Sequence, residues 1–235
     1  MVDVYIISGC DGPTDRISAF ADHLIQPLAQ KQASYVKYTT DFLNFIEKTK
    51  LPKDTFLVSM DVTSLYTNIP QEEGITTVCE TYEDFYERKP PIPTRYLREM
   101  LSLILQENSF QFNGKDYLQT HGTAMGTKLA VAFANIFMVK IEKEILRQSD
   151  TKPIAWKRFI DDVISIWNTS RDKIEDFLLK ANSFHPTVKF TAETSETETT
   201  FLDAKVHKGV RFTKESIISY RNGKSLKHIL VKVKL

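Results

Sequence analysis

Cysteine is scarce in this chain. Only Cys10 and Cys79 occur in 235 residues, and no C-x-x-C pair is present. That excludes a disulfide framework and a cysteine zinc module, and it fits a reducing, intracellular compartment. Long apolar runs are missing as well. The longest, "LAVAFANIFMV" at 129–139, is eleven residues between Lys128 and Lys140, short of the roughly 20 that a membrane span needs, so no membrane partner is expected. The opening "MVDVYIISGC" has no basic n-region and no long apolar core, and so does not read as a signal peptide. A net charge of one sign is lacking too, with 31 Lys and Arg against 30 Asp and Glu. No internal repeat is visible, and the one biased tract is the polar "TAETSETETT" at 191–200.

What is present is an ordinary globular composition, 42% hydrophobic and 26% charged, long enough to bury one large core or two small ones. The charge is unevenly spread. Residues 208–235 carry eight Lys or Arg against one acid, Glu215. A basic segment on a mildly acidic body suits contact with a polyanion, and it equally describes a solvated tail.

Periodicity gives a coarse order of elements. "GPTDRISAFADHLIQPLAQ" repeats Ile17, Phe20, Ala21, Leu24 and Leu28 at helical spacing, and "TTDFLNFIEKT" places Phe42, Phe45 and Ile46 on one helix face. "TFLVSMD" at 55–61 reads as a short buried strand ending in an acid. Helices are predicted at 71–88 and at 94–107, with Leu97, Leu101, Ile104 and Leu105 as the inner stripe of the second. Asn113-Gly114 within "SFQFNGKDYLQ" marks a hairpin with a type I′ turn. One long helix over 127–148, a hairpin over 154–168 and a helix over 171–183 with Ser170 as N-cap follow. "TVKFTAE" and "TTFLDAKVHK" read as two further strands. The order implies an α+β fold, a small antiparallel sheet with helices over one face.

The hairpin "RFIDDVISIW" holds the most pointed chemical signal. Asp161 and Asp162 stand side by side at its expected tip, between apolar and aromatic runs. Adjacent carboxylates repel, so the pair belongs either in a solvated turn or beside a cation. In this layout the strand ending at Asp61 lies next to the hairpin, with Asp61 facing Asp161. Three carboxylates there would suit hard divalent cations. Two such ions about 3.5–4 Å apart can serve an in-line phosphoryl displacement.

Four stretches together are far more specific. "SMDVTSLYTNIP", "HGTAMGTKLAVAFANIF", "RFIDDV" and "FLDAKV" occur in this order and resemble motifs A, B, C and E of reverse transcriptases. Their wording most resembles Penelope-like retroelements, whose polymerases are similar to telomerase reverse transcriptase. The resemblance implies a polymerase palm with a ferredoxin-like core. It also implies an RNA-directed DNA polymerase that uses two Mg²⁺ ions (Mn²⁺ as a substitute), an RNA template, a DNA primer and dNTPs. By the same resemblance Asp61 binds both metals, with the Val62 carbonyl as a further ligand. Asp161 matches the second metal-binding aspartate and Asp162 the lesser ligand. Tyr66, five residues after Asp61, matches an aromatic gate beneath the sugar; its other reading is core packing. Gly122, Gly126 and Thr127 fall in the substrate-contacting motif B. Its glycines let a backbone pass close to a base pair or sugar, or simply turn the chain from hairpin to helix. Lys189 matches a lysine near the departing pyrophosphate, and as a strand lysine it also reads as solvated.

The chain departs from the family at its flanks. An Arg-Pro expected before Ile6-Ile7 is missing, and few residues follow "FLDAKVHKG" where relatives carry a thumb. Val131 stands where many relatives have proline. The tail "SYRNGKSLKHILVKVKL" resembles a segment that lies before the GIY-YIG endonuclease of longer relatives, with a join near Ile217 to Tyr220. These features predict residual fingers and connecting helices over 1–54, a palm over 55–210 and a basic tail over 211–235. A partner chain could supply the fingers or thumb. The alternative to an active polymerase is an inactive truncated remnant that at most binds nucleic acid.

Overall fold

The structure is a computed structural model that describes residues 12–49, 51–52, 54–208, 218–222 and 225–229, the last two stretches as backbone only. Expectations resting on Ile6, Ile7, Cys10 and the side chains beyond Lys208 lie outside the described residues. In chain order the elements are α1 (Asp15–Gln30), α2 (Thr39–Lys48), β1 (Phe56–Val62), α3 (Leu65–Asn68), α4 (Gln71–Phe85), α5 (Thr94–Gln106), β2 (Ser109–Phe112), β3 (Lys115–Leu118) and α6 (Ala130–Gln148). There follow β4 (Ala155–Phe159), β5 (Asp162–Trp167), α7 (Arg171–Phe184), β6 (Phe190–Ser195), β7 (Glu198–Phe201), β8 (Ala204–Lys208), β9 (Ile218–Asn222) and β10 (Ser225–Ile229). None of the described helices is long and apolar enough to cross a membrane. The chain divides into two compact units, each stitched from two separated stretches.

The first unit comprises residues 1–32 and 64–143. Its described residues are helical apart from connecting loops and the β2–β3 hairpin, whose turn residues Asn113 and Gly114 both take positive φ as a type I′ turn requires. The stripe read on α5 is its buried face, Leu97, Leu101, Ile104 and Leu105. α4 ends at Phe85, before the expected residue 88. Glu87 and Arg88 turn left-handed, and the Arg88 N–H donates to the Glu83 carbonyl at 2.8 Å. This is a Schellman stop made without glycine. α6 starts at Ala130, not 127, because Thr127 turns its hydroxyl onto the Ala124 carbonyl at 2.9 Å.

The second unit comprises residues 33–63 and 144–235. Its centre is an antiparallel sheet in the order β4-β5-β1-β6. Antiparallel partners share a face, so one face carries Met60, Val163, Trp156 and Trp167. Here Phe177 of α7 packs on both tryptophans, with ring centroids 4.7 Å from Trp167 and 5.9 Å from Trp156. The other face carries Leu57, Ile164 and Ile166, which form a buried cluster with Phe42, Leu43 and Ile46 of α2 and with Phe201 and Val206. Each such side chain contributes roughly 1.5–3 kcal/mol by leaving water.

"TTFLDAKVHK" is not one strand. It folds back at Leu202-Asp203, where Leu202 takes φ +55°, and Phe201 pairs with Ala204. In a continuous strand Phe201 and Ala204 would point to opposite faces. The hairpin lets both, with Val206, enter one core. The backbone of β9 and β10 extends this second sheet in the order β10-β9-β8-β7. Ser170 stands at the start of α7 as expected, without a side-chain capping bond.

Candidate active site

β1 and β5 deliver the aspartates. Their register pairs Asp61 with Asp162, and on its other side Asp61 pairs with Thr191 of β6. The expected partner of Asp61 was Asp161; the strand partner is its neighbour. The reason is the turn. Phe159 pairs with Asp162, which leaves Ile160 and Asp161 as a two-residue loop. Only Ile160 of the two has positive φ, +56°, the signature of a type II′ turn. Asp161 still engages β1 through its backbone, since its carbonyl accepts a hydrogen bond from the Val62 N–H at 3.1 Å.

The carboxylates act on one another. The Asp61 carboxyl is pushed above its ordinary value by partial desolvation and then by the charge of Asp161. Asp162 is raised by burial, then by Asp161 and Asp61. Negative charge is thus gathered at this end of the sheet. Asp61 and Asp162 line an open cavity of about 740 Å³ with Ser59, Thr191 and Glu193. Lys205, at its rim, is paired with Glu198 at 2.7 Å.

All-oxygen donors are the chemistry a hard divalent cation prefers. As they stand, however, no three His, Cys, Asp or Glu side chains among the described residues are grouped closely enough to hold an ion. The expected convergence of three carboxylates is therefore a gathering at one sheet end, short of a closed ligand cage. Val62 is buried, and its N–H is engaged by Asp161.

Lys189 is engaged at the end of α7. Its ammonium donates to the Asn182 carbonyl at 2.6 Å and the His185 carbonyl at 2.8 Å, capping the end of α7. As placed its ammonium is engaged by two backbone carbonyls. Its backbone is structural too, accepting from the Thr63 N–H at 2.9 Å.

Tyr66, Gly122, Gly126 and Thr127 belong to the first unit. There Gly122 and Tyr66 meet. Gly122 takes φ +68°, and a Cβ on it would stand 2.4 Å from the Tyr66 carbonyl oxygen and 2.6 Å from the Thr67 Cα. The Thr123 N–H donates to that same carbonyl at 2.8 Å. The close approach read into this glycine is thus made to the protein's own α3 backbone. Gly126 does not need a left-handed conformation, the left-handed glycines among the described residues being Gly114 and Gly122. Thr127 is buried with its hydroxyl committed to Ala124.

Two residues escaped sequence reasoning. Gln71 donates through its amide to the Gly122 and Leu105 carbonyls, both at 3.0 Å, and so pins the Gly122 turn. Arg158 is buried beside the Asp161 turn. A charged residue at an inward position of the "AWKRF" alternation was the available signal for it.

Comparison with known proteins bears on the fold and the family. No curated protein sequence matches the chain. Among solved structures, apo telomerase from Candida tropicalis truncated from its C-terminal domain superposes with a TM-score of 0.58 at 17% identity over 82% of this chain. Telomerase from Candida albicans in complex with a TWJ fragment of telomeric RNA gives 0.63 at 12% identity over 93%. The RNA-dependent RNA polymerase of a human picobirnavirus gives 0.59 at 13% over 81%. These likenesses establish a polymerase-palm-like α+β fold. The chain spans 43%, 38% and 37% of the lengths of those three proteins. The family model for reverse transcriptase (RNA-dependent DNA polymerase) matches residues 15–212, a range that holds every aspartate of the sheet end, and the chain belongs to the reverse transcriptase family.

Proposed function

We propose that this chain is the catalytic core of an RNA-directed DNA polymerase, of Penelope-like type by the wording of its motifs. The observation that carries the reading is the facing of Asp61 and Asp162 across β1 and β5, with Asp161 in the turn beside them. Asp61, Asp161 and Asp162, with the Val62 carbonyl, would hold two Mg²⁺ ions. Bound there, the ions would supply Lewis acidity towards a primer 3′-hydroxyl and charge neutralisation for the phosphates of a dNTP. The protein's own part is to gather oxygen donors on a rigid sheet, where their mutual repulsion is relieved when a cation binds. Catalysis would then come from positioning and electrostatics, with no covalent intermediate on the enzyme. Tyr66 is proposed to discriminate against a 2′-hydroxyl. Residues 55–210 would be the palm, 1–54 remnants of fingers and connecting helices, and 211–235 a basic tail.

Primer extension on an RNA template with Mg²⁺ tests this, with Asp161→Ala as the control. The expected result is dNTP incorporation by the wild type that falls to background in the variant. Extension by Asp161→Ala at the wild-type rate would overturn the assignment. Binding of primer–template with no extension by either protein would favour a nucleic-acid-binding remnant, and equal use of ribonucleotides an RNA polymerase.

A further inference from the structure

Arg158 is among the largest fully buried side chains of the described residues, 1% exposed, and it precedes Asp161 by three positions. Burying a guanidinium is costly unless its donors are used. One of them is spent on the turn itself, since Nη1 donates to the Ile160 carbonyl at 2.9 Å. Ile160 is a β-branched residue at φ +56°, a conformation that persists only where its surroundings enforce it. The following peptide group is held as well, because the Asp161 carbonyl accepts from the Val62 N–H at 3.1 Å. The peptide groups on both sides of Asp161 are therefore tied down, one by Arg158 and one by β1.

Arg158 has its own anchor. Its N–H donates to the Ser34 carbonyl at 2.7 Å, and its carbonyl accepts from the Val36 N–H at 3.0 Å. These bonds frame the parallel bridge between Tyr35 and Arg158. A continuous chain of contacts thus runs from residues 34–36, through the guanidinium, to the turn that carries Asp161.

We infer that Arg158 is a positioning residue, holding the Ile160–Asp161 turn in its left-handed form so that the Asp161 carboxylate leaves the hairpin in one fixed direction. The inference rests on the reading of Asp161 as a metal-holding residue of the polymerase. It also gives residues 34–36, which lie before every recognised motif, a role in supporting the site.

Two measurements test it, and the first needs no activity. Amide hydrogen exchange is compared in wild type, Arg158→Met and Arg158→Lys. The expected result for Arg158→Met is exchange about tenfold faster at the Val62 amide, which reports the Asp161 carbonyl, with the Ile164 and Ile166 amides of the same hairpin unchanged. Arg158→Lys, which keeps a charged donor, restores part of the protection. Unchanged protection at Val62, or an equal loss at Ile164 and Ile166, overturns the inference, because either outcome makes Arg158 a general core residue. Where Arg158→Met does not fold, Arg158→Lys carries the same comparison.

The second measurement is primer extension. The expected effect of Arg158→Met is a fall in kcat of about a hundredfold with KM for the dNTP unchanged, recovered in part by Arg158→Lys. A rise in KM alone would count against positioning. A wild type that does not extend primers defeats the polymerase reading, and the exchange pattern still decides what Arg158 does.

Discussion

Along β1 and β5 a single face of the sheet runs from Leu57, Ile164 and Ile166, sealed under α2 and the β7–β8 hairpin, to Asp61 and Asp162 at an open end. The backbone is the same at both ends: the strands, register and hydrogen-bond ladder are continuous. What changes over four residues of β1, from Leu57 through the half-buried Ser59 to Asp61, is whether anything covers the face. At the covered end side chains gain by leaving water. At the open end like charges are held together and raise one another's pKa. One end stabilises the sheet and the other draws on that stability, as functional sites commonly do.

The contrast yields predictions in descending order of effect. Ile166→Ala, at the covered end, should cost about 2–5 kcal/mol through lost burial and a cavity. Thermal unfolding would read this as a drop of roughly 2–4 °C per kcal/mol for a chain of this size. A loss near zero would mean that the cluster is not the core. Gly122→Ala, in the other unit, should cost roughly 1–3 kcal/mol from strain at positive φ, with more from the Cβ placed 2.4 Å from the Tyr66 carbonyl. Chemical denaturation measures it, and a neutral result would show that this turn relaxes freely.

Asp162→Asn, at the open end, should have the smallest effect and the opposite sign. Its native pKa lies above the ordinary carboxylate value, so the folded state keeps its proton to higher pH than the unfolded one. Stability is therefore lost as pH rises from about 4 through the raised native value. Neutralising the side chain should raise Tm at pH 7 and leave it unchanged at about pH 3, where the wild-type carboxyl is already protonated. Saturating Mg²⁺ should raise the wild-type Tm and raise that of Asp162→Asn less. A lower Tm for the variant at neutral pH would show that the carboxylate stabilises the fold, and the two ends of the face would no longer differ in kind.

Much of this was legible in the residues. The α5 stripe, the Asn113-Gly114 turn and the Asp-Asp hairpin follow from local periodicity and turn chemistry, which act over a few neighbours. What local pattern does not reach is contact between distant segments. "TTFLDAKVHK" reads as a strand because its composition is strand-like, and only the need to bury Phe201, Ala204 and Val206 in one cluster folds it at Leu202. Lys189 is ambiguous by itself, and the end of α7 supplies the carbonyls that take it.

By itself, then, the sequence determined most of the element types, the order of the motifs and the presence of aspartates at a strand end and a hairpin tip, because these depend on residue identity and short-range geometry. The tertiary structure alone decided that Asp61 pairs with Asp162 and that Asp161 sits in a strained turn gripped by Arg158. It decided likewise that Gly122 presses on Tyr66. Register, burial of a charge and backbone contact are settled between segments far apart in the chain, where no local pattern reaches.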